Sequence, residues 1–125
     1  MEQVARGEFT VTLAPVEAGD VSRMTIAKRF EGDLSGSSTG HMLSAGNPAT
    51  GSAGYVAIEF VTGTLAGRDG SFALQHNGTM DEGTDSLSIQ IVPGSTGGDL
   101  AGLSGRMEIR REGGTHAYLF RYVLP

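Results

Sequence analysis

Residues Tyr55–Ile91 read YVAIEFVTGTLAGRDGSFALQHNGTMDEGTDSLSIQI. Apolar and polar residues alternate through this stretch, a period typical of strands with one buried face. Two short turns interrupt the alternation, and we place them at Arg68–Asp69 and at Glu82–Gly83. Glycine and aspartate at such points supply the backbone geometry that tight hairpins require. The stretch is therefore predicted to form three consecutive antiparallel strands.

Two-residue turns at these places bring one apolar set onto a single face. Its members are Val61, Leu65, Phe72, Leu74, Leu87, Ile89 and Ile91. The predicted register sets Val61 opposite His76 and Glu59 opposite Gly78. Glu59 and His76 then occupy diagonal positions on the apolar face, within side-chain reach of each other. A slip of one residue would exchange the two faces, so agreement between the two hairpins supports this assignment.

The remainder of the chain also reads as strands, and no helical period of useful length occurs. Strands are predicted at 8–13, 22–31, 34–45, 103–111 and 115–123, with loops at 46–54 and 93–102. The predicted fold is all-β, one domain over residues 1–125. It is a closed antiparallel eight-stranded barrel with up-and-down, lipocalin-like order, which leaves no exposed sheet edge. An interior of that size is either filled or holds one small ligand.

Composition excludes several classes of function. The formal net charge is −5 and there is no basic stripe, so nucleic acid is not an expected partner. The chain has no cysteine, which excludes disulfides and thiolate chemistry. No apolar run is long enough to span a membrane, and the N-terminus does not resemble a signal peptide. We expect a cytoplasmic protein without a cofactor; the glycine-rich segment 94–102 lacks the Lys-Ser/Thr of a phosphate-binding loop.

Four motifs carry a resemblance that spans nearly the whole chain. They are FEGDLSG (30–36), YVAIEFVTGTL (55–65), GSFALQHNGT (70–79) and VPGSTGGDLAGLSG (92–105). The chain resembles a bacterial family, domain of unknown function 3224, which is similar in fold to the allene oxide cyclase barrel. The family pattern has a glutamate in the second motif and a Gln-His pair in the third, matched by Glu59, Gln75 and His76. The fourth motif departs from it, since the family usually reads closer to PGSGTGEL.

The resemblance implies a barrel but no assigned reaction. Allene oxide cyclase acts on a fatty-acid epoxide, which it holds in an apolar barrel in a shape ready to cyclise. Extending that analogy to this chain rests on the fold alone.

Glu59 and His76 are the candidate catalytic pair. Ionisable groups are rarely buried unless they are paired. A buried carboxylate and imidazole could transfer a proton in an isomerisation or elimination, or orient a ligand. The alternative is a hydrogen-bonded pair that only fixes the strand register.

A second polar group and several aromatic residues are candidate ligand contacts. A turn at Gly32–Asp33 would set Ser37 opposite Lys28 and His41 opposite Met24, making a polar patch across the cavity from Glu59. Its alternative is that Lys28 extends to the rim and His41 is exposed. The expected aromatic and apolar lining is Tyr55, Phe72, Leu74, Tyr118, Phe120 and Tyr122, whose alternative is a filled core. A metal site would need His41, His76 and Glu59 to converge, and we expect none.

Val56, Ile58 and Phe60 alternate with Glu59 on the same strand. If Glu59 points inward, these three apolar side chains form an outer patch, which predicts a homodimer or larger homo-oligomer. The alternative is a bulge that turns Phe60 inward and Glu59 outward.

The sequence thus supports three functional hypotheses. In the first, the barrel binds a small, mostly apolar molecule and acts as a proton-transfer isomerase or cyclase through Glu59 and His76. In the second, the same pocket serves a non-catalytic carrier or sensor. In the third, the barrel is a structural or interaction module filled by its own side chains.

Overall fold

The computed structural model describes residues 1–125, apart from the side chain of residue 112. It has nine strands and one short 3-10 helix, Pro48–Thr50. The strands are β1 Gln3–Glu17, β2 Ser22–Gly32, β3 Leu34–Asn47, β4 Ser52–Leu65, β5 Arg68–Asp81, β6 Thr84–Ile91, β7 Gly97–Gly98, β8 Ser104–Glu112 and β9 Thr115–Val123. No helix in the described part of the chain is long and apolar enough to cross a membrane.

Eight of the strands form a closed antiparallel barrel. Each pairs with its neighbours in sequence, β4 pairs with β5, and the pairing of β1 with β9 completes the ring. The two-residue strand β7 lies outside this order and pairs with the beginning of β5. The all-β, eight-stranded, up-and-down barrel predicted from the sequence is therefore confirmed.

Several strands are longer than predicted. β1 covers Gln3–Glu17, where the alternation indicated only 8–13. The predicted loop at 46–54 is mostly regular structure, because β3 and β4 remain paired as far as Asn47 and Ser52. The 3-10 turn between them is capped by Asn47, whose side-chain oxygen accepts a hydrogen bond of 3.0 Å from the Ala49 N–H.

The β4–β5 turn lies at Ala66–Gly67, two residues before the predicted position. Both residues have positive φ, 53° and 76°, as two-residue hairpin turns of this kind require. Val61 consequently pairs with Phe72 and not with His76, so the predicted register was wrong by four residues. An even shift leaves every side chain on its predicted face. The β5–β6 register, with Leu74 opposite Ile91, is confirmed.

The β2–β3 connection changes the register by one residue. Asp33 alone separates the strands, and Gly32 before it has a φ of +107° that favours glycine. Lys28 therefore pairs with Ser38, and the predicted pairing with Ser37 is wrong. A one-residue shift exchanges the faces of β3, so Ser38 points inward and His41 outward.

The hydroxyl of Tyr118 holds this connection from inside the barrel. It accepts a hydrogen bond of 2.9 Å from the Leu34 N–H. It can donate to the carbonyl oxygen of Glu31 at 3.0 Å or of Leu34 at 2.9 Å. One buried side chain thus satisfies backbone groups on both sides of the turn.

The two ends of the barrel interior differ. At one end, called here the closed end, the segment after β6 folds over the opening, and its Leu100 and Leu103 are buried. The packed side chains at this end include Phe30, Leu34, Leu65, Phe72, Leu100, Leu103, Phe120 and Tyr122. The opposite, open end carries the connections β1–β2, β3–β4, β5–β6 and β8–β9.

Candidate functional site

Glu59 lies in the interior of the barrel. Its side chain is 0% exposed, whereas the neighbouring Phe60 is 49% exposed. The alternative in which a bulge turns Phe60 inward is therefore excluded, and the sequence-based orientation of β4 is confirmed. A fully buried carboxylate needs partners to offset its lost hydration.

Three side chains supply those partners. The Lys28 Nζ donates to Oε2 of Glu59 at 2.8 Å, and the Ser38 hydroxyl donates to Oε1 at 2.7 Å. The His76 Nε2 lies 2.5 Å from Oε2. We call Lys28, Ser38, Glu59 and His76 the buried polar cluster, because all four residues are buried. Both carboxylate oxygens of Glu59 are occupied within it.

Four adjacent strands, β2 to β5, bring the cluster together. Lys28 and Ser38 are direct cross-strand partners on β2 and β3. His76 pairs with Ala57, two residues from Glu59, so Glu59 and His76 are diagonal neighbours, as predicted. Gly40 pairs with Glu59. A side chain at Gly40 would overlap the backbone of β4, so glycine permits the close approach of β3 here.

The electrostatics of the cluster keep Glu59 ionised. Burial by itself would raise the pKa of Glu59, but the hydrogen bond from His76 and the positive charge of Lys28 lower it to about 2. An ionised carboxylate only accepts hydrogen bonds, so Nε2 of His76 carries the donated proton. The Lys28 ammonium also lies 4.9 Å from the centre of the Phe9 ring, a cation–π arrangement.

A cavity of about 580 Å³ occupies the open end of the barrel. Methionine, leucine and tyrosine side chains make up much of its wall, together with serine and threonine residues. The main lining residues are Leu13, Ser22, Met24, Met42, Ser44, Tyr55, Thr79, Met80, Asp85, Ser86 and Leu87.

Tyr55 lies across from Gly78 on the cavity wall. A side chain at Gly78 would overlap the Tyr55 ring, so this glycine gives the ring its place against the strand. Burial, with a contribution from the negative charge of Glu59, raises the pKa of Tyr55 above its ordinary value of 10.0. The Tyr55 hydroxyl therefore remains protonated at neutral pH, where it can donate a hydrogen bond.

The buried polar cluster begins directly below the cavity. Along β4 and β5 the cavity reaches the pair Tyr55–Gly78. The next inward-facing row is Ala57–His76, and Glu59 follows one row deeper. His76 is thus the cluster member on this pair of strands that is nearest to the cavity.

The structure brings together part of the predicted site. The contact between Glu59 and His76 is confirmed. Lys28 joins that pair, and its predicted position in a separate patch with Ser37 and His41 is wrong. His41 is exposed on the outer wall because of the register of β3.

Five predicted ligand contacts are buried within the hydrophobic core and do not line the open-end cavity. They are Phe72, Leu74, Tyr118, Phe120 and Tyr122. Phe120 stacks between Phe72 and Tyr122, with ring centroids 6.0 and 5.4 Å away. Of the predicted contacts, Tyr55 alone is among the cavity-lining residues.

The sequence does not predict Ser38 or most of the cavity wall as site residues. Ser38 was assigned to the outer face because the β2–β3 connection was read as a two-residue turn. Met24 was placed on the inner face, but the pattern did not indicate that the interior is empty there. Residue size gives no signal of the cavity, because the inward residues at this end include the bulky Met42 on β3 and Met80 on β5.

The residues considered for a metal site do not converge, because His41 lies outside the barrel. In the described part of the chain, no group of three or more His, Asp or Glu side chains is arranged to hold a metal ion.

The chain was compared with known proteins. The family model described as "Protein of unknown function (DUF3224)" matches residues 5–122. A crystal structure of a DUF3224-family protein of unknown function from Shewanella oneidensis MR-1 is similar, with a TM-score of 0.93 and 45% sequence identity. The similarity covers 100% of this chain and 98% of that one. A search of curated proteins gave no match.

Proposed function

The chain belongs to the DUF3224 family of proteins of unknown function, and we propose that it is a binding protein, a carrier or sensor, for a small, mostly apolar, uncharged molecule. The cavity at the open end supports this proposal. Its volume, about 580 Å³, lies within the range of ligand sites in proteins. The closed end is filled by side chains, so the interior offers one compartment.

The cavity wall suits an apolar ligand of variable shape. Met24, Met42 and Met80 are three of the five methionines in the chain, and all line the cavity. Methionine side chains are flexible and polarisable, so they adapt to irregular apolar surfaces. Leu13 and Leu87 extend the apolar wall and are 47% and 44% exposed, so a ligand would cover surface that water now contacts.

The polar groups of the cavity favour an uncharged ligand. Serine, threonine and tyrosine hydroxyls can bond a ligand hydroxyl or carbonyl oxygen. Asp85 is the one charged side chain among the described lining residues, and it would repel a carboxylate. The net charge of −5 on the chain would also repel an anionic ligand.

The buried polar cluster fits a structural role beneath this cavity better than a catalytic one. A useful general base has a pKa near the working pH, whereas the pKa of Glu59 is about 2. Both oxygens of Glu59 are also occupied by hydrogen bonds. The cluster ties β2, β3, β4 and β5 together at the depth where the cavity ends.

The nearness of His76 to the cavity favours a second candidate function, proton-transfer isomerisation. In this case Nδ1 of His76 would take a proton from one carbon of the bound molecule and return it to another, while Nε2–H remains bonded to Glu59, which orients the imidazole. The test uses 2-decanone, an apolar ketone, in deuterated water. Protein-dependent exchange of its α-hydrogens, lost in His76→Gln, would favour the enzyme; exchange at the uncatalysed rate with bound ketone would favour the carrier.

The binding proposal is tested by fluorescence titration with N-phenyl-1-naphthylamine, a neutral apolar probe. We expect saturable binding to the wild-type protein. Met42→Asp places a charge in the cavity wall and should weaken binding about tenfold or more. Val4→Asp is the matched control, because Val4 is a half-exposed apolar residue of β1 outside the cavity. Its binding should equal that of the wild type.

Competition with 1-decanol and decanoate tests the ligand charge. Decanol should displace the probe at lower concentration than decanoate. No saturable binding, or equal binding by Met42→Asp and wild type, would refute the site. Tighter binding of decanoate would refute the proposal that the ligand is uncharged, but the cavity would still be the binding site. Native mass spectrometry of the protein purified from cells then identifies any retained molecule by its mass.

A further inference from the structure

Charged side chains are distributed unevenly over the outside of the barrel. The outward positions of β3, β4, β5 and β6, called here the neutral wall, carry charge in the described chain only at Asp69 and Asp81, with histidine counted as neutral. These two residues lie at opposite ends of β5. The strands on either side of the neutral wall are charged on their outer faces: Arg23, Arg29 and Glu31 on β2, and Arg106, Glu108 and Arg110 on β8.

The centre of the neutral wall is apolar. Val56, Ile58 and Phe60 project from β4 and are 50%, 51% and 49% exposed. Leu43, the cross-strand partner of Val56, extends this patch onto β3 and is also exposed. His41 is the cross-strand partner of Ile58, and Ala73 is the partner of Phe60. Serine, threonine, asparagine and glutamine occupy most of the other outward positions on the neighbouring strands. An apolar centre without charges and a polar rim is the usual anatomy of a protein–protein interface.

The surface of the apolar patch is not flat, because a groove runs along it. The groove has a volume of about 650 Å³, and the residues that line it include His41, Leu43, Val56, Ile58, Phe60, Gln75 and Asn77. Side chains that project from a partner could enter this groove. Gln75 and Asn77 flank it as the cross-strand partners of Ile58 and Val56, and their amides can form hydrogen bonds at the rim.

We propose that the neutral wall binds the neutral wall of a second copy of this chain, forming a dimer with two-fold symmetry. Two copies each carry a net charge of −5, so most mutual approaches are repulsive or require desolvation of arginine and glutamate. Contact through the centres of the neutral walls buries no charged side chain and leaves the charged outer faces of β2 and β8 in water. The same apolar patch then covers itself, as a two-fold interface requires.

The size of the neutral wall fits a stable dimer. Four strands spaced about 4.8 Å apart and about nine residues long outline about 600 Å². A side-chain surface exposes more area than its flat outline. The area of the wall is thus of the same order as the roughly 800 Å² that each partner buries in an ordinary specific interface.

The oligomeric state is measured by sedimentation velocity and by light scattering after size exclusion, over micromolar to millimolar concentrations. We expect the wild type to be a dimer and the Ile58→Asp variant to be a monomer. The substitution should raise the dissociation constant of the dimer about a hundredfold or more, because two carboxylates would be buried without partners. Val4→Asp is the matched control, since it adds the same charge to an exposed position on β1. It should remain a dimer.

Ile58→Thr is a second variant that tests the interface if Ile58→Asp does not fold. Threonine favours strands as isoleucine does, but it exposes less apolar area. We expect it to be folded by circular dichroism and to dimerise more weakly than the wild type. A wild-type protein that is monomeric throughout would refute the proposal and assign the neutral wall to a different partner. A folded Ile58→Asp or Ile58→Thr variant that dimerises as the wild type does would also refute it.

Discussion

Lys28 and Glu59 form an ion pair inside the barrel, with Nζ 2.8 Å from Oε2 and both side chains almost inaccessible to solvent. Coulomb attraction alone rarely offsets the desolvation of two such ions. The additional hydrogen bonds from Ser38 and His76, and the Phe9 ring beside the ammonium, supply the remaining stabilisation. The pair therefore depends on the whole cluster and not on two residues alone.

Neutralising one partner should be more harmful than neutralising both. Glu59→Gln leaves the Lys28 ammonium buried without a counter-charge, and we expect a loss of about 3–5 kcal/mol in the free energy of unfolding. The double variant Lys28→Met, Glu59→Gln buries no charge and should be more stable than Glu59→Gln. Chemical denaturation of both variants and of Lys28→Met completes a double-mutant cycle. Additive effects would show that the pair is not coupled.

The low pKa of Glu59 predicts a specific loss of stability in acid. Its folded-state pKa is about 2, against an ordinary value of 4.5, so the unfolded chain binds this proton at higher pH. The stabilisation from Glu59 is complete above pH 4.5 and is lost as the pH falls toward 2. Unfolding free energies measured across that interval should fall less steeply in Glu59→Gln than in the wild type. Equal slopes would mean that the carboxyl has an ordinary pKa in the folded protein.

Gly78 should control the position of Tyr55 in the cavity wall. Gly78→Ala places a methyl group where the Tyr55 ring now lies, and we expect a destabilisation of about 1–3 kcal/mol together with weaker probe binding. Gly54→Ala is the control for stability, because its methyl group would meet its nearest neighbour, the Gly78 carbonyl oxygen, at an ordinary 3.8 Å. Denaturation should distinguish the two variants. Unchanged stability and unchanged probe binding in Gly78→Ala, relative to the wild type, would contradict the ring position.

The hydroxyls of Tyr118 and Tyr122 should contribute unequally to stability. Tyr118→Phe leaves the buried Leu34 N–H without an acceptor, which costs about 1–3 kcal/mol. Tyr122→Phe loses one hydrogen bond, 3.2 Å long, to the side chain of Gln3, which can turn to water. We expect a smaller loss, at most about 1 kcal/mol. Thermal unfolding of the two variants measures the difference, and equal losses would argue against a special role of Tyr118 at the β2–β3 connection.

The barrel could be predicted because its signal is repeated along the chain. Alternation in the hairpins of Tyr55–Ile91 fixes which side chains face inward, and a register error of four residues leaves that result intact. The contact of Glu59 with His76 was therefore predicted correctly although the β4–β5 turn was misplaced. The prediction depended only on which face of its strand each residue occupies, and not on which residues pair across the strands.

The error at β3 has a different physical origin. Gly32 and Asp33 resemble an ordinary two-residue turn, but a glycine with φ of +107° and the distant hydroxyl of Tyr118 stabilise a connection with an odd number of residues. A contact between residues so far apart in sequence leaves no local signal. Ser38 and His41 were consequently assigned to the wrong faces. The division between a filled and an open end was equally hidden, because it depends on where Leu100 and Leu103 fold back.

The ring of strands is closed unequally around its circumference. β8 and β9 are paired from Ser104–Val123 to Glu112–Thr115, whereas β6 and β8 share one paired position in the described chain, Gln90 with Arg106. The barrel is thus a rolled sheet in which one junction between neighbouring strands, called here the seam, has few hydrogen bonds. A small change in the diameter of the barrel requires the least free energy at this junction, because few hydrogen bonds must be broken. We therefore expect amide hydrogens along the facing edges of β6 and β8 to exchange with solvent before those of β4. The mouth of the barrel is therefore least constrained between β6 and β8, and the other seven strand junctions hold the rest of its shape.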